Sequence, residues 1–258
     1  MQKLPVVAKE GESVMRLVLS LFPGADLFGK AFEAEGFCVV RGPDKLWGGD
    51  VRDFHVPLGR FDGVIGGPPC QVFSEATRNG TEAVDLIPEF ARIVREADPA
   101  WAIMENVTGA YAPWNEWESS IIRDWDCGGN THRTRAFWTL GMPAVVIPPT
   151  REGDPAYTVL ASSWKNRGEG SYGGCGYEYG LTAQEAADLQ GFSELAGAIM
   201  DNQSSGVSLR ACEVLAVHML GNGVPLAMGL WVARHVKRCL AGEEWQLVGL
   251  PMFEEITL

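Results

Sequence analysis

Residues 16–40, RLVLSLFPGADLFGKAFEAEGFCVV, decide the fold. The apolar run 16–22 is typical of a buried strand, and Pro23-Gly24 ends it. The run AFEAE then predicts a short helix that Gly36 can terminate, and FCVV predicts a second strand. A strand, a helix and a second strand in this order form the repeating unit of a parallel sheet covered by helices.

The same alternation continues along the chain. Apolar runs at 61–67, 101–107 and 135–141 predict three more strands, and 82–97 predicts a helix in which Pro88 is an irregularity. Because strands alternate with helices, the sequence predicts an α/β fold with a doubly wound, mostly parallel, Rossmann-like sheet.

The pattern changes at residues 142–180, which are rich in Pro, Gly, Ser and Tyr and contain one strand-like run, AYTVLA. This region predicts a small, loop-rich insertion. Thr182 and Glu185 then have the spacing of a capping box, which marks the start of a helix. Three helices are predicted after the insertion, at 182–190, 209–220 and 225–240.

Composition limits the class of protein. The chain has 258 residues, of which 46% are hydrophobic, so it can bury a full core and is not a disordered chain. Charges and helix breakers interrupt every long apolar stretch, and the N-terminus lacks an apolar signal region, so we expect a cytoplasmic protein without a membrane span. The six cysteines form no Cys-x-x-Cys pair, so neither a disulfide framework nor a metal site is expected.

The net charge of −12 weighs against a nucleic-acid partner, because phosphate binding requires cations. The acidic excess is confined to residues 61–122 and 181–258, whereas the remaining chain is balanced. One face can therefore stay near neutral, so the charge weakens a nucleic-acid function without excluding it.

Two motifs place reactive groups at the ends of predicted strands. In GGPPCQ (66–71), Cys70 follows a buried strand and a rigid Pro-Pro, which favours a positioned nucleophile over an ordinary buried thiol. In MENV (104–107), Glu105 ends another strand, although an N-cap Asn with an adjacent surface Glu also explains that motif. Together, the thiol and the carboxylate suggest attack on an electrophilic ring whose nitrogen needs protonation.

Other candidate residues are less specific when taken alone. Arg133 and Arg135 in THRTRAF lie on one side of a strand by the two-residue period, where they either orient an anion or a base carbonyl or form an exposed edge. Gly24 allows a ligand to approach the backbone, and Asp44 and Asp50 follow predicted strands. A packing turn and solvated loop acids explain these three residues nearly as well.

Six segments, in this order, resemble the motifs of DNA cytosine-5 methyltransferases over nearly the whole chain. They are LFPGADLFGKAFEAEGF, GGPPCQVFS, MENV, THRTRAF, LTAQEAADLQGF and LGNGVP. The resemblance implies a Rossmann-like methyltransferase fold. It further implies a catalytic domain made of residues 1–140 and 206–258, with a small target-recognition lobe at 141–205.

The resemblance also implies catalytic roles. Cys70 would attack carbon 6 of the target cytosine, and Glu105 would hydrogen-bond the ring nitrogen and the exocyclic amine. Arg135, with Arg133 behind it, would steady the base carbonyl and the catalytic loop. A base inside a duplex is out of reach, so the target cytosine would be flipped out.

The implied cofactor is S-adenosylmethionine, with S-adenosylhomocysteine as the product and no metal. Six residues would line its site: Phe22, Gly24, Asp44, Asp50, Asn222 and Val224. By the resemblance, the two acids would bind the ribose and the adenine in that order, and Asn222 with Val224 would close the methionine end.

The implied partner is double-stranded DNA, without an obligate protein partner. Seven residues are candidate DNA contacts: Gln71, Ser74, Arg78, Trp164, Lys165, Arg167 and Tyr172. The first three belong to a loop that would fold over the extruded base, and the other four to the insertion. Because the insertion is short and carries few cations, we expect a recognition context of roughly two to four base pairs and salt-sensitive binding.

Three positions depart from the family pattern. Asp26 and Leu27 stand where the family has the second and third glycines of its first motif, and Thr131 stands where it has Gln. The cofactor loop is therefore expected to be bulkier, with an acid near the methionine end. Two alternatives stay open: an RNA (tRNA) cytosine-5 methyltransferase, and a non-catalytic homologue that binds cofactor or DNA.

Overall fold

The computed structural model describes residues 16–72, 84–165, 180–200 and 208–243, except the side chains of Gln71 and of residues 198–200. Six strands form one sheet: β1 (Leu17–Leu21), β2 (Cys38–Arg41), β3 (Gly63–Gly66), β4 (Trp101–Asn106), β5 (Glu118–Arg123) and β6 (Thr134–Leu140). Six helices are also described: α1 (Leu27–Ala34), α2 (Ile87–Ala97), α3 (Ala183–Gln190), α4 (Ser193–Met200), α5 (Leu209–Asn222) and α6 (Leu226–Ala241).

The sheet has the strand order β2-β1-β3-β4-β6-β5. The first four strands in this order pair in parallel, and β6 runs antiparallel to both β4 and β5. The chain passes from β1 to β2 on one side and returns to β3 on the other, so the order reverses at β1. Such a reversal opens a crevice above the carboxyl ends of the central strands, where ligands bind in this class of sheet.

Helices cover both faces of the sheet, as a doubly wound fold requires. On one face, Phe32 of α1 and Val232 of α6 pack against Val18 of β1. On the other face, Phe90 of α2 packs against Leu19 of β1. Adjacent residues of β1 therefore point into opposite core layers, because side chains alternate along a strand.

A third core layer joins the last helices to the sheet domain. Ala187 of α3 and Leu220 of α5 pack with Leu27 at the start of α1. Thr182 and Glu185 form the predicted capping box, in which Glu185 N donates to Thr182 Oγ1 (3.2 Å) and Thr182 N donates to the Glu185 carboxylate (2.8 Å). The helix after the insertion is thereby fixed at its first residue.

The elements differ from the sequence prediction at several points. Helix α1 begins at Leu27, four residues earlier than predicted, and α2 begins at Ile87. Pro88 therefore lies in the first turn of α2, where its missing N–H breaks no helical hydrogen bond. The run AYTVLA forms no strand, although Ala156 makes an isolated bridge to Thr131.

Among the described residues, Leu209–Ala241 is the stretch long and apolar enough to cross a membrane, and 61% of its most apolar window is buried inside the protein. Two helices, α5 and α6, make up this stretch, with Gly223–Pro225 between them. Its apolar residues contribute to the core layers on both α1 and α3.

Candidate active site

A cavity of about 270 Å³ lies at the carboxyl edge of the sheet, next to the point where the strand order reverses. Ten residues singled out in the sequence line it together: Phe22, Gly24, Asp44, Asp50, Cys70, Glu105, Arg133, Arg135, Asn222 and Val224. We call the side with Cys70, Glu105 and the two arginines the catalytic wall. The side formed by residues 22–26 and Asp44 is the cofactor wall.

Close backbone contacts set the position of Cys70 in the catalytic wall. Strand β3 ends at Gly66, where a Cβ atom would lie 2.8 Å from the Leu21 carbonyl oxygen, so only glycine fits without displacement. The Asn106 side chain donates to the Pro68 carbonyl (3.0 Å) and joins the end of β4 to the loop before Cys70. The thiol, which is half-buried, therefore sits on a loop braced by two neighbouring strands.

Glu105 lies beside this loop and is paired with a cation. It is 7% exposed, and its Oε1 is 2.9 Å from Arg135 Nε. A Cβ atom at Gly67 would lie 2.8 Å from Glu105 Oε2, so the second glycine of the Gly-Gly pair leaves room for this carboxylate. Each glycine is therefore needed for a different contact: Gly66 lies against the Leu21 carbonyl, and Gly67 lies against the Glu105 carboxylate.

Arg133 lies behind Arg135 and is fully buried. Its Nη1 donates to the Val159 carbonyl (3.0 Å), and its Nε has no hydrogen-bond partner among the described residues. Burial, followed by the neighbouring Arg135 cation, lowers the pKa of Arg133 to about 9, whereas Glu105 and Cys70 oppose this shift. Arg133 therefore remains cationic at neutral pH, close to both the thiol and the carboxylate.

Thr131, which replaces the family's Gln, has a partner that the sequence does not predict. The buried carboxylate of Asp124 accepts from Thr131 N (3.0 Å) and from Thr131 Oγ1 (2.7 Å). Burial raises the pKa of Asp124 to about 6, although these hydrogen bonds and the Arg133 charge oppose the shift. This pair anchors the turn between β5 and the two arginines.

The cofactor wall combines open backbone with carboxylates. Gly24 has a φ of +55°, and a Cβ atom built there would meet no atom within 4 Å, so a ligand can lie directly over this residue. Asp44 Oδ2 accepts from Gly24 N (2.9 Å), and Asp44 Oδ1 accepts from Leu46 N (2.9 Å). Phe22, with a φ of 54°, turns the chain out of β1 into this loop.

Asp50 also lines the cavity, but its carboxylate is engaged locally. Arg52 donates to it from the backbone N and from the guanidinium, and these hydrogen bonds lower the pKa of Asp50. Asn222, which also lines the cavity, ends α5, and its Nδ2 lies 3.1 Å from a ring nitrogen of His218. His218 lines the cavity and was not singled out in the sequence; its position one helical turn before Asn222 is the signal that points to it.

The two departures in the first motif are both buried. Asp26 is 5% exposed and Leu27 is 1% exposed, and both border the cavity. Burial raises the pKa of the Asp26 carboxyl, although the adjacent Arg41 cation opposes the shift. The acid therefore belongs to the packed interior of the loop rather than to its surface.

Of the predicted DNA contacts, the structure describes two side chains. Lys165 is exposed, and its ammonium lies 5.1 Å from the ring centre of the half-buried Trp164. Ser74, Arg78, Arg167 and Tyr172 lie outside the described residues, as does the side chain of Gln71. Within the described part of the chain, no three His, Cys, Asp or Glu side chains gather as a metal site requires.

Sequence comparison relates the chain to known proteins. Residues 43–124 match the family described as C-5 cytosine-specific DNA methylase. The chain is 31% identical over 134 residues to the type II methyltransferase M.FnuDI of Fusobacterium nucleatum, covering 43% of this chain and 38% of that protein. It is 51% identical over 49 residues to M.HgiDI of Herpetosiphon aurantiacus, covering 18% and 16%. These matches span less than half the length of the curated relatives.

Solved structures share the fold at low sequence identity. A putative DNA modification methyltransferase from a prophage of E. coli has a TM-score of 0.53 and 16% identity, covering 88% of this chain and 99% of that chain. The Entamoeba histolytica methyltransferase EhMeth has a TM-score of 0.54 and 14% identity, covering 88% and 98%. Together with the sheet topology, these likenesses confirm the predicted doubly wound α/β fold.

Proposed function

We propose that this chain, which belongs to the family of C-5 cytosine-specific DNA methylases, transfers a methyl group to carbon 5 of a flipped-out cytosine in DNA. One observation carries the proposal. Cys70, the Glu105–Arg135 ion pair and the predicted cofactor residues line one cavity at the carboxyl edge of the sheet. A nucleophile, an acid and a cation on one side of a ligand cavity are what attack on an electron-poor ring requires.

In this proposal Cys70 is the nucleophile. Its thiolate forms a bond to carbon 6 of cytosine. In the proposed complex with the base, Glu105 carries a proton taken up from solvent and donates it to the ring nitrogen as the new bond forms, so it stabilises the transition state more than the bound substrate. After methylation, carbon 5 gives its proton to a water molecule and the Cys70–carbon bond breaks, which restores the free thiolate. The ring nitrogen then returns its proton to Glu105, which leaves the neutral aromatic ring.

Arg135 acts first on Glu105 and then on the base. Its Nε holds one carboxylate oxygen of Glu105 at 2.9 Å, which leaves the other oxygen directed towards Gly67 and the cavity. Its Nη1 donates to the Thr134 carbonyl (2.8 Å), so the Nη2 N–H groups can meet the base carbonyl, because arginine presents several donors in a fixed plane. The ion pair therefore orients the acid and contributes to binding the base.

The cofactor wall fits S-adenosylmethionine, which supplies the methyl group when it is bound. The hydroxyls of its ribose suit the Asp44 carboxylate, and the amine of its adenine suits Asp50 on the same cavity, beside the apolar edge formed by Phe22. Both carboxylate oxygens of Asp44 already accept backbone hydrogen bonds, and each oxygen keeps capacity for a further donor. Asn222 and Val224 line the same cavity, and we assign them to the methionine end of the cofactor.

We assign residues 1–140 and 206–258 to the catalytic domain and 141–205 to the target-recognition lobe. Trp164 and Lys165 are the described candidates for DNA contact in that lobe, since an aromatic ring and an exposed ammonium suit bases and phosphates respectively. Bacterial type II methyltransferases among the relatives support an intracellular role in restriction–modification.

Methyl transfer from labelled S-adenosylmethionine tests the proposal. Purified protein is incubated with duplex DNA, with tRNA or with neither, and the modified base is located by bisulfite sequencing. Label at carbon 5 of cytosine in DNA, lost in Cys70→Ala, is the expected result. Label in tRNA alone identifies the RNA alternative, and binding of S-adenosylhomocysteine without any transfer identifies a non-catalytic homologue.

A further inference from the structure

We propose that Asp26 and Arg41 are positioning residues that hold the cofactor loop, residues 22–26, in the shape that glycines give it elsewhere in the family. This inference rests on the proposed function, because it treats the loop as part of the S-adenosylmethionine site. Neither residue is assigned a role in the reaction itself.

Asp26, the last residue of the cofactor loop, contacts three secondary-structure elements. Its Oδ1 accepts from the Ser20 hydroxyl (2.9 Å) near the end of β1, and its Oδ2 lies 2.6 Å from Arg41 Nε at the end of β2. Its carbonyl accepts from Lys30 N (2.9 Å) in the first turn of α1. Asp26 thus fixes the start of the helix through its main-chain carbonyl and binds the two neighbouring strands through its buried carboxylate.

The backbone at Asp26 explains why this tether is needed. Asp26 has a φ of 56°, a left-handed conformation that glycine adopts freely and that costs energy for most other residues. The same loop contains Gly24 at +55° and Phe22 at 54°. Aspartate tolerates this conformation better than most residues, and the ion pair and the serine hydrogen bond stabilise it there.

Neighbouring residues leave space for the two larger side chains. A Cβ atom at Gly29 would lie 2.3 Å from Asp26 Oδ1, so the carboxylate occupies the place of a side chain at that position. A Cβ atom at Gly223 would lie 2.4 Å from Leu27 Cδ1, so Leu27 packs directly on that glycine. Both departures from the family glycines are therefore matched by glycines elsewhere in this chain.

The contacts favour a positioning role over direct contact with the cofactor. Each carboxylate oxygen of Asp26 already has a protein partner, Ser20 for one and Arg41 for the other. The side chain is also almost fully buried. Loss of the carboxylate is therefore expected to act on the cofactor through the shape of the loop.

Arg41 supplies an internal control, because its guanidinium binds two carboxylates in different surroundings. Asp26 is buried, whereas the Glu33 side chain, 2.9 Å from Arg41 Nη2, is 37% exposed. The Arg41 side chain is itself 45% exposed, so the two pairs differ in their carboxylates. An exposed pair contributes little, whereas removing Arg41 leaves the buried Asp26 carboxylate uncompensated. Glu33→Gln thus removes a carboxylate from the same arginine without touching the Asp26–Arg41 pair.

The test measures binding of S-adenosylhomocysteine by calorimetry and the melting temperature of the same samples. We expect Asp26→Asn and Arg41→Gln each to weaken binding by at least about tenfold, and the double variant to lose less than the product of the two, since partners in one pair are coupled. Glu33→Gln should stay within about twofold of wild type, as an exposed pair predicts. Asp26→Gly relieves the backbone, but it empties the space that the carboxylate fills beside Gly29 and leaves Ser20 and Arg41 without this partner, so it should also bind more weakly.

The outcomes separate this inference from the proposed function. A wild-type protein that binds no S-adenosylhomocysteine contradicts the proposed function. If Asp26→Gly and Arg41→Gln bind S-adenosylhomocysteine with wild-type affinity, the positioning role is overturned. This conclusion holds even if Asp26→Asn fails to fold. Equal losses in Glu33→Gln and Arg41→Gln would also overturn it, because they would trace the effect to the exposed carboxylate.

Discussion

The catalytic wall and the cofactor wall of the same cavity keep their shapes by different means. On the catalytic wall, glycines at 66 and 67 let backbone and carboxylate approach closely, and the residues match the family motif. On the cofactor wall, Asp26 and the adjacent Leu27 replace two motif glycines. The ion pair of Asp26 with Arg41 and the packing of Leu27 on Gly223 stabilise the loop instead. The proposed reaction depends on the identity of the side chains in the catalytic wall, so few substitutions are compatible with it. Cofactor binding depends on the backbone conformation of the loop, which different side chains can stabilise.

This comparison predicts that the two walls can be damaged separately. Changes on the catalytic wall should reduce turnover and spare cofactor binding. Changes on the cofactor wall should reduce cofactor binding first, because Asp26 with its partners Ser20 and Arg41 holds the loop to which we assign the cofactor.

Cys70→Ala should have the largest effect. Without the thiolate no bond to carbon 6 forms, so turnover should fall by at least about 10⁴-fold, in the range seen when a nucleophile is removed. Because the cofactor residues belong to other loops, binding of S-adenosylhomocysteine should stay within about threefold of wild type, which is under about 0.7 kcal/mol. Single-turnover methyl transfer and calorimetry on the same sample measure both. Turnover within tenfold of wild type would rule out the nucleophile.

Glu105→Gln should have the next largest effect. Glutamine keeps the size of the side chain but cannot donate the proton, so turnover should fall by roughly two to four orders of magnitude. DNA affinity, followed by a fluorescence titration, should change much less, because the proton is needed only in the transition state. Unchanged turnover with weaker DNA binding would show that Glu105 only binds the base.

Asp124→Asn tests the support behind the arginines through pH. The pKa of Asp124 is raised to about 6, mainly by burial, so the folded protein binds a proton more tightly than the unfolded chain. Its contribution to stability is therefore present at about pH 4 and is lost as the pH rises through about 6, by at most about 3 kcal/mol. Relative to wild type, Asp124→Asn should gain unfolding free energy over this range.

Asp126→Asn is the matched control for that measurement. The pKa of Asp126 is lowered, because hydrogen bonds from Arg123 and Arg151 outweigh the effect of burial. Its contribution is present at neutral pH and is lost on acidification, so Asp126→Asn should lose relative stability as the pH rises. Urea titrations between about pH 2.5 and 7.5 cover both transitions, because that of Asp126 lies below about pH 4. The same slope for both variants would refute the assignment for Asp124.

Gly223→Ala should have the smallest of these effects. Its new methyl group would meet Leu27, which must move, so we expect a loss of about 1–2 kcal/mol in unfolding free energy. Cofactor affinity should fall with it, because Leu27 starts the helix behind the cofactor wall. Gly197→Ala is the control, since a Cβ atom there would meet nothing within 4 Å. Equal stability of the two variants would show that Leu27 adjusts freely.

Much of the fold follows from the sequence because local patterns determine it. The apolar runs before Pro23 and before Gly66 give β1 and β3, and the Thr182 capping box gives the start of α3. Strand β5 was not predicted, because an edge strand with exposed Glu118 and Ser119 has a weak apolar pattern.

The supporting contacts of the site could not be predicted in the same way. Cys70 and Glu105 follow their strands directly, so the parallel sheet brings them to one edge. The pairs Asp26–Arg41 and Asp124–Thr131 join residues across turns and neighbouring strands, and no periodicity specifies them. The sequence shows that Asp26 and Thr131 differ from the family motifs, but the structure is needed to identify their partners, Arg41 and Asp124.

Covalent capture of Cys70 tests the central claim most directly. A duplex containing 5-fluorocytosine is incubated with the protein and S-adenosylmethionine, and the intact mass is measured after denaturation. Fluorine at carbon 5 cannot leave as a proton does, so the Cys70–carbon 6 bond should persist. The account predicts a species with the mass of protein plus methylated oligonucleotide in wild type, abolished in Cys70→Ala. Methylated product without any adduct in wild type, or an adduct retained in Cys70→Ala, would contradict it.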